Sequence, residues 1–440
     1  MLNAFLTYIN DEKLFSSADK LLIAVSGGKD SMVVLDLLQR GKFNIGVAHV
    51  NFKLRGNDSD GDESFVETYC EQRSIPFFTT TFDTKRHAKE NGISTQMAAR
   101  ELRYDWFEDI LSENSFSYLL TAHHANDNVE TALLNLTRGT GIAGLTGIAA
   151  KKNLLIRPLL FTTRSEIDTY AMKQSIQWRE DSSNASTDYA RNMIRHEVIP
   201  KLKILNPNLE HTFQRTILRL KAAEFAWNIL VESVKKEVWL DERNAVKINA
   251  EVLKSHPHSL AVTEALLKPY GCTWRQIEGA LTAPPSASFL TETHTLFIDR
   301  EDWFLVTNKS LEPVSVSVSD ISGKVTVNKA EFNFEIINSF PDKKDLQNPN
   351  FAFLAYEKLS FPLTIRTWQQ GDKFQPFGMK GSKLLSDYFI SLKLPLHEKK
   401  QQLIFTDSRH IAWIINKRTS QRFAVSTKVE RILKISVSEI

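Results

Sequence analysis

The sequence predicts an α/β fold: a parallel-sheet N-terminal domain, then a mainly helical middle domain, then a small basic α/β C-terminal domain. Three observations carry this. Apolar runs alternate with helix-period segments from residue 21 to about 150, a long amphipathic stretch opens near residue 208, and positive charge gathers after residue 360. The 440 residues, 42% of them hydrophobic, exceed what one compact core absorbs, so two or three domains are expected. We place them at 1–207, 208–350 and 351–440.

Each part has a local reason. "LLIAV", "IGVAHV", "PFFTTTF" and "YLLTAHH" are short runs suited to buried parallel strands, separated by "SMVVLDLLQRG", "DESFVETYCEQR" and "QMAARELRYDWFEDIL" at helical period. Gly41 and Gly139 fall just past helix ends, where a left-handed cap is expected. Ligands bind outside the carboxyl ends of such strands, so the loops after "LLIAV", "VAHV" and "LLTA" should share one crevice. "NPNLEHTFQRTILRLKAAEFAWNILVESVKKEVW" reads as one long helix, with Phe213, Ile217, Leu220, Ile229 and Val234 on its apolar side. Helices continue to about 282, and short strands follow "TAPPSAS". The turn-rich "SFPDKKDLQNPN" suggests the last boundary.

Composition narrows the function classes. No apolar run approaches the roughly 18 residues of a membrane span, and the N-terminus lacks a secretory pattern, so a cytoplasmic protein without a membrane partner is expected. Cys70 and Cys272 lie far apart without a CxxC partner, which argues against a disulfide framework, a structural zinc or a cluster. The net charge is +3, yet residues 361–440 hold 14 Lys and Arg against 6 Asp and Glu, net +8. A solvated face and a polyanion-binding face both fit that bias.

The chemistry concentrates in three loops. In "LLIAVSGGKDSMVVL" a buried strand turns into a helix through Ser26, Gly27, Gly28, Lys29, Asp30 and Ser31. Glycines permit close approach, and a helix N-terminus offers free N–H groups, so an anion fits. A Walker loop would need a glycine where Ile23 stands and Ser or Thr at Asp30. Asp30 suits either a helix cap or Mg²⁺ beside a polyphosphate. The second loop is "HVNFKLRG". In the third, "TAHHANDNVETALLNLTRG", Asp127 and Glu130 stand three apart on one helix face, fitting either a cationic amine or the helix dipole. His123 and His124 lack a third ligand at metal spacing.

The SGGxDS signature resembles that of the PP-loop ATP pyrophosphatases, adenine nucleotide α-hydrolase-like enzymes that cut ATP to AMP and pyrophosphate while adenylating a carbonyl-type oxygen. With "AARELRY", "RPLLFTTRSEIDTY", "WREDSSNASTDYARNMIRHEVIPKL" and "GDKFQPFGMKGSKLLSDYF", nearly the whole chain resembles the bacterial tRNA(Ile)-lysidine synthases. That resemblance implies a ligase that adenylates C2 of the wobble cytidine, position 34, of tRNA(Ile) with a CAU anticodon. The ε-amine of free L-lysine then displaces AMP, giving lysidine and shifting codon reading from AUG to AUA. It further implies that Ser26 to Ser31 hold ATP, with Asp30 on Mg²⁺. His49 and Asn51 lie near the adenosine, Arg100 meets phosphate or intermediate, and Asp127 and Glu130 handle lysine. Arg100 and Arg103 also suit an ordinary helix face. Asp181, Asn184, Arg191, Asn192 and Arg195 are expected to support the site, and the basic module to grip the acceptor side of the tRNA. Phe52 stands where many members have histidine, and "KLLSDYF" replaces a more basic form. The rivals are a PP-loop tRNA thiolase, which generally relies on cysteines, and a non-catalytic tRNA-binding protein; monomer and homodimer both remain open.

Overall fold

The computed structural model describes residues 1–53, 57–179, 189–242, 244–319, 321, 323–426 and 429–439. Two compact units emerge, Met1–Asn228 and Ile229–Ile440, and each is described by itself.

The first unit carries β1 (Lys20–Ala24), β2 (Asn44–Asn51), β3 (Phe77–Thr81), β4 (Tyr118–Leu120), β5 (Lys151–Lys152) and β6 (Leu155–Ile156). Their order is β3-β2-β1-β4-β6-β5, parallel except for the β5–β6 pair. Helices α1 (Leu2–Asp11), α2 (Lys29–Arg40), α3 (Asn57–Glu71), α4 (Thr84–Asn91), α5 (Thr95–Glu113), α6 (Ala125–Arg138), α7 (Ile142–Leu145) and α8 (Arg164–Lys173) accompany it. β1 shows why both faces must be covered. Leu21 and Ile23 enter a core with Leu35, Leu38 and Ile167, whereas Leu22 enters another with Phe107, Leu111 and Leu119. Fully burying one such side chain contributes about 1.5–3 kcal/mol. Chain order reverses between β1 and β4, so the loops leaving these two strands diverge and open a crevice at their carboxyl ends.

Short helices α9 (Tyr189–Met193) and α10 (Ile199–Leu205) flank a π-helical turn, Ile194–Val198. Ile194 and Ile199 pack with Val129, Leu133 and Phe213, which holds this segment against α6. The long α11 (Leu209–Val238) follows. Of its expected apolar positions, Ile217 and Val234 are buried, but Ile229 is 56% exposed.

The expected left-handed cap at Gly41 is corrected: Gly41 is right-handed (φ −75°) and Lys42 takes the positive φ of 59°. Gly41 is needed for space, since a Cβ would lie 2.6 Å from the Phe43 ring. Gly139 has a positive φ, 77°, but with a ψ of 113° it is not a left-handed helical cap either.

In the second unit, five antiparallel strands run in the order Trp239–Asp241, Val246–Asn249, Asp302–Thr307, His294–Ile298, Ser288–Leu290, with helices Ala250–Ser255, Ser259–Leu267 and Trp274–Thr282 between them. Two further sheets share one core containing Phe334, Phe405, Trp413 and Leu433. Their pairing moves the expected boundary at 350/351. Ser315–Val318 pairs with Leu363–Thr367, and Ala330–Ile337 pairs with Ile432–Glu439, so strands from 315 onward belong to the C-terminal sheets.

Candidate active site

A cavity of about 600 Å³ lies in the first unit, at the predicted crevice. Ser26, Gly28, Lys29, Asp30 and Ser31 form one wall, and Arg100, Arg103 and Tyr104 of α5 another. Thr121, His123 and Asp127 form a third, and Arg164, Trp178 and Arg179 close the fourth.

The phosphate-loop geometry follows from its residues. Gly27 has a φ of 87°, open to glycine at little cost, and the loop folds back on itself: the Ser31 hydroxyl donates to the Gly28 carbonyl at 2.8 Å. Gly28 caps α2, leaving the first N–H groups of that helix facing the cavity end of β1. The Arg179 N–H donates to the Gly27 carbonyl at 3.0 Å, and its guanidinium pairs with Asp62 at 2.5 Å. The Lys29 ammonium pairs with Asp168 at 2.9 Å and lies 4.9 Å from the Trp178 ring centre.

Acidic groups face this cation-rich rim. His124, 5% exposed, stands between two carboxylates, with Nε2 3.7 Å from Asp30 and Nδ1 3.7 Å from Asp127. Burial pushes the Asp30 carboxyl up; His124 and Arg164 oppose this, while Asp127 and Asp168 add to it. Burial acts in the same sense on Asp127, but His124, His123, the His124 N–H and Arg191 together outweigh it and hold the carboxyl below its ordinary value. Burial lowers His123 to about 4, so it is a neutral imidazole near pH 7, with Nδ1 3.0 Å from the Thr121 hydroxyl.

Asp127 and Glu130 sit on one face of α6, as their spacing predicts, in different surroundings. Asp127 reaches the cavity; Glu130 is 2% exposed behind it. Arg191 donates to Glu130 at 2.8 Å and to Asp127 at 3.2 Å, while Arg195 donates to Glu130 at 2.6 and 2.8 Å. Arg191 and Arg195 lie four apart on the segment that the Val129–Ile194 core presses onto α6.

His49 and Asn51 do not line the cavity. His49 is buried, with Nδ1 2.8 Å from the Val25 carbonyl, and burial lowers its pKa. Asn51 donates to Asp60 and Glu63, both at 2.8 Å. Both brace the strand ends behind the wall. Arg100 does line it, 4.8 Å from the Tyr104 ring centre. Asp181 and Asn184 lie outside the described residues, as does 54–56 of the second loop. Sequence reasoning did not single out Tyr104, Arg164, Asp168, Trp178 or Arg179, although all five lie inside its motifs.

Among the described residues no three His, Cys, Asp or Glu side chains gather as a metal-ligand cluster. The donor set does fit Mg²⁺ carried by a nucleotide, which commonly takes one or two carboxylates plus phosphate and water oxygens, because the Asp30 side chain is 36% exposed toward the cavity.

A phosphate-binding strand-to-helix loop at the switch point of a parallel sheet, facing carboxylates across one cavity, defines an ATP-binding ligase of the PP-loop class. Family models agree along the chain: a PP-loop domain matches residues 3–202, a TilS substrate binding domain 241–309, and a TilS substrate C-terminal domain 363–436. The chain belongs to the tRNA(Ile)-lysidine synthase family. It is 37% identical over 442 residues to the tRNA(Ile)-lysidine synthase of Parabacteroides distasonis, covering 99% of both chains. It is 36% identical to that of Porphyromonas gingivalis, over 96% of this chain and 95% of the relative, and 31% identical to that of Bacillus subtilis, over 92% and 91%. Among the described residues no helix is long and apolar enough to cross a membrane.

Proposed function

We propose that this protein makes lysidine at position 34 of tRNA(Ile) bearing a CAU anticodon, in the cytoplasm, from ATP and free L-lysine. The observation that carries this reading is the joining of the Ser26–Ser31 loop and the Asp127 carboxylate in one cavity, in a chain that aligns with such synthases end to end.

Two steps balance the chemistry. The C2 oxygen of the cytidine attacks the α-phosphorus of ATP, and pyrophosphate leaves; then the lysine ε-nitrogen attacks C2, and AMP leaves with that oxygen. Ser26, Gly27, Gly28, Lys29 and Ser31 hold the phosphates through backbone N–H groups, hydroxyls and the ammonium. Asp30 would hold Mg²⁺, which supplies charge neutralisation on the phosphates. Arg100 meets the developing negative charge from the opposite wall. His49 and Asn51 support the adenosine side through the strand ends they brace.

The lysine ammonium, with an unperturbed pKa of about 10.4, must shed a proton before attack. Asp127, kept ionised and open to the cavity, holds that ammonium and takes the proton. Glu130 acts behind it by holding Arg191 and Arg195. A sulfur-transfer reading fits poorly, since both cysteines are buried and burial pushes the Cys70 thiol up to about 12 and Cys272 upward as well. The test is mass analysis of tRNA(Ile) nucleosides after incubation with the pure protein, ATP, Mg²⁺ and lysine. Lysidine is expected, with AMP release that depends on lysine; cytidine left unchanged by active, folded protein overturns the reading.

A further inference from the structure

A second cavity of the first unit, about 590 Å³, is lined by Lys151, Lys152, Arg157 and Lys221 against only two acids, Glu12 and Glu224. Arg157 is its unusual member. It directly follows β6, at the carboxyl edge of the sheet, and is only 8% exposed. Its Nη1 donates to the Ala149 carbonyl at 2.7 Å, but its Nε–H is buried without a partner, and no carboxylate pairs with it among the described residues. A guanidinium removed from water without a counter-charge is costly unless an anion completes it. Lys152 and Lys221, both exposed, likewise have no ion-pair partner among the described residues.

The cavity is tied to the chemistry. Arg157 adds its charge to the surroundings of His123, and Arg100 acts back on Arg157; both His123 and Arg100 line the nucleotide cavity. The loop that forms the cavity's other wall is fastened to α6. The Ile148 N–H donates to the Asn128 side-chain oxygen at 2.6 Å, and Gly147, φ 75°, leaves no room for a Cβ, which would lie 2.7 Å from that oxygen. Asn128 is the residue after Asp127. An anion seated here is therefore held in fixed register with the carboxylate that faces the nucleotide.

We propose that this cavity binds a backbone phosphate of the RNA beside the nucleotide being modified, with Arg157 as its buried fork and Lys152 and Lys221 as its rim. The inference rests on the lysidine reading above. A base can be acted on only when it leaves the stack, and the bend this makes in the strand must be held by its phosphates. Several cations on one concave wall suit that ligand better than the single carboxylate of an amino acid. Arg157 presents the planar fork that matches phosphate oxygens.

The experiment measures binding of the tRNA(Ile) anticodon stem-loop to the full chain across a salt series. In the Lys152→Ser, Lys221→Ser double variant the salt slope should fall by up to about 0.7, the share of the one single-strand phosphate that the cavity neutralises, while ATP binding is unchanged. Arg157→Gln should weaken RNA binding further and Arg157→Lys should restore part of it; if Arg157 variants fail to fold, the rim pair alone decides. An unchanged slope and affinity overturn the proposal. So does a rise in the lysine KM, or in the pyrophosphate inhibition constant, with RNA binding intact, since the cavity then takes a carboxylate or a free phosphate. Lysine-dependent AMP release by the parent protein is assayed alongside, so loss of the lysidine reading is distinguished from loss of this site.

Discussion

Asp127 and Glu130 stand three positions apart, yet their surroundings divide them. Glu130 holds two guanidinium groups at 2.6–2.8 Å, so Glu130→Gln leaves those charges only the longer contacts to Asp127 at 3.2 and 3.6 Å. Breaking a fully buried pair costs about 3–5 kcal/mol; with the arginine side chains 25–31% exposed, about 2 kcal/mol is expected, read by urea unfolding. Asp127→Asn keeps an acceptor for the His124 N–H and should unfold with a smaller loss. Its defect should be a lysine KM raised about tenfold or more, with adenylated tRNA still accumulating. If Asp127→Asn forms no adenylated tRNA while lysine affinity stays normal, Asp127 belongs to the ATP step. Asp30 has the opposite stability sign. Because its folded pKa is raised, the folded state binds more protons between the unfolded and folded values, and stability falls as pH rises through that window. Asp30→Asn should therefore melt no lower than the parent protein at pH 7 while abolishing pyrophosphate release. A markedly lower midpoint would count against the stability argument, and normal release against the role of Asp30 at the phosphates.

His397 sets a pH dependence for one element of the second unit, the helix Leu396–Gln401. It is 4% exposed, stacks on Phe304 with ring centres 4.1 Å apart, and has a buried Nδ1 without a partner among the described residues. Burial lowers it to about 4, with Asp299 opposing, so the unfolded chain binds the proton first as pH falls. Its contribution is present above about pH 6.5 and is lost toward pH 4, a change on the order of 3 kcal/mol. Urea unfolding at pH 7 and pH 4.5 should show a smaller drop in His397→Leu than in the parent; an identical drop removes His397 as the cause. Elements of the first unit were legible because buried parallel strands write continuous apolar runs and their loops carry the motifs. What the sequence hid was long-range pairing. Nothing local to "NDNVE" shows that Arg191 and Arg195, more than sixty positions on, neutralise Glu130, and Gly41 looked like a left-handed cap when its role is to admit the Phe43 ring. The last boundary was misplaced for the same reason, since antiparallel sheets recruit strands from both sides of a turn-rich stretch.

Sheet pairing also decides how the basic C-terminal module must be tested in the whole molecule. The strand Ile432–Glu439 lies between Ala330–Ile337 and Phe351–Ala355, so deleting 361–440 would unpair strands that stay behind and confuse lost charge with lost folding. Neutralising exposed cations avoids this. Lys373, Lys380 and Arg422 are exposed and have no ion pair among the described residues, so serine at all three should leave the fold intact. If the module grips the acceptor side of the tRNA, the triple variant should bind whole tRNA(Ile) with a salt slope lower by up to about 2.7, from about 0.9 per duplex phosphate neutralised. Its binding of the isolated anticodon stem-loop should match the parent's, because that fragment lacks the acceptor side. ATP consumption with saturating tRNA should also be preserved, since the nucleotide cavity belongs wholly to the first unit. An unchanged slope with whole tRNA makes the net +8 of residues 361–440 a solvated face, and an equal loss with the stem-loop moves the grip to the anticodon.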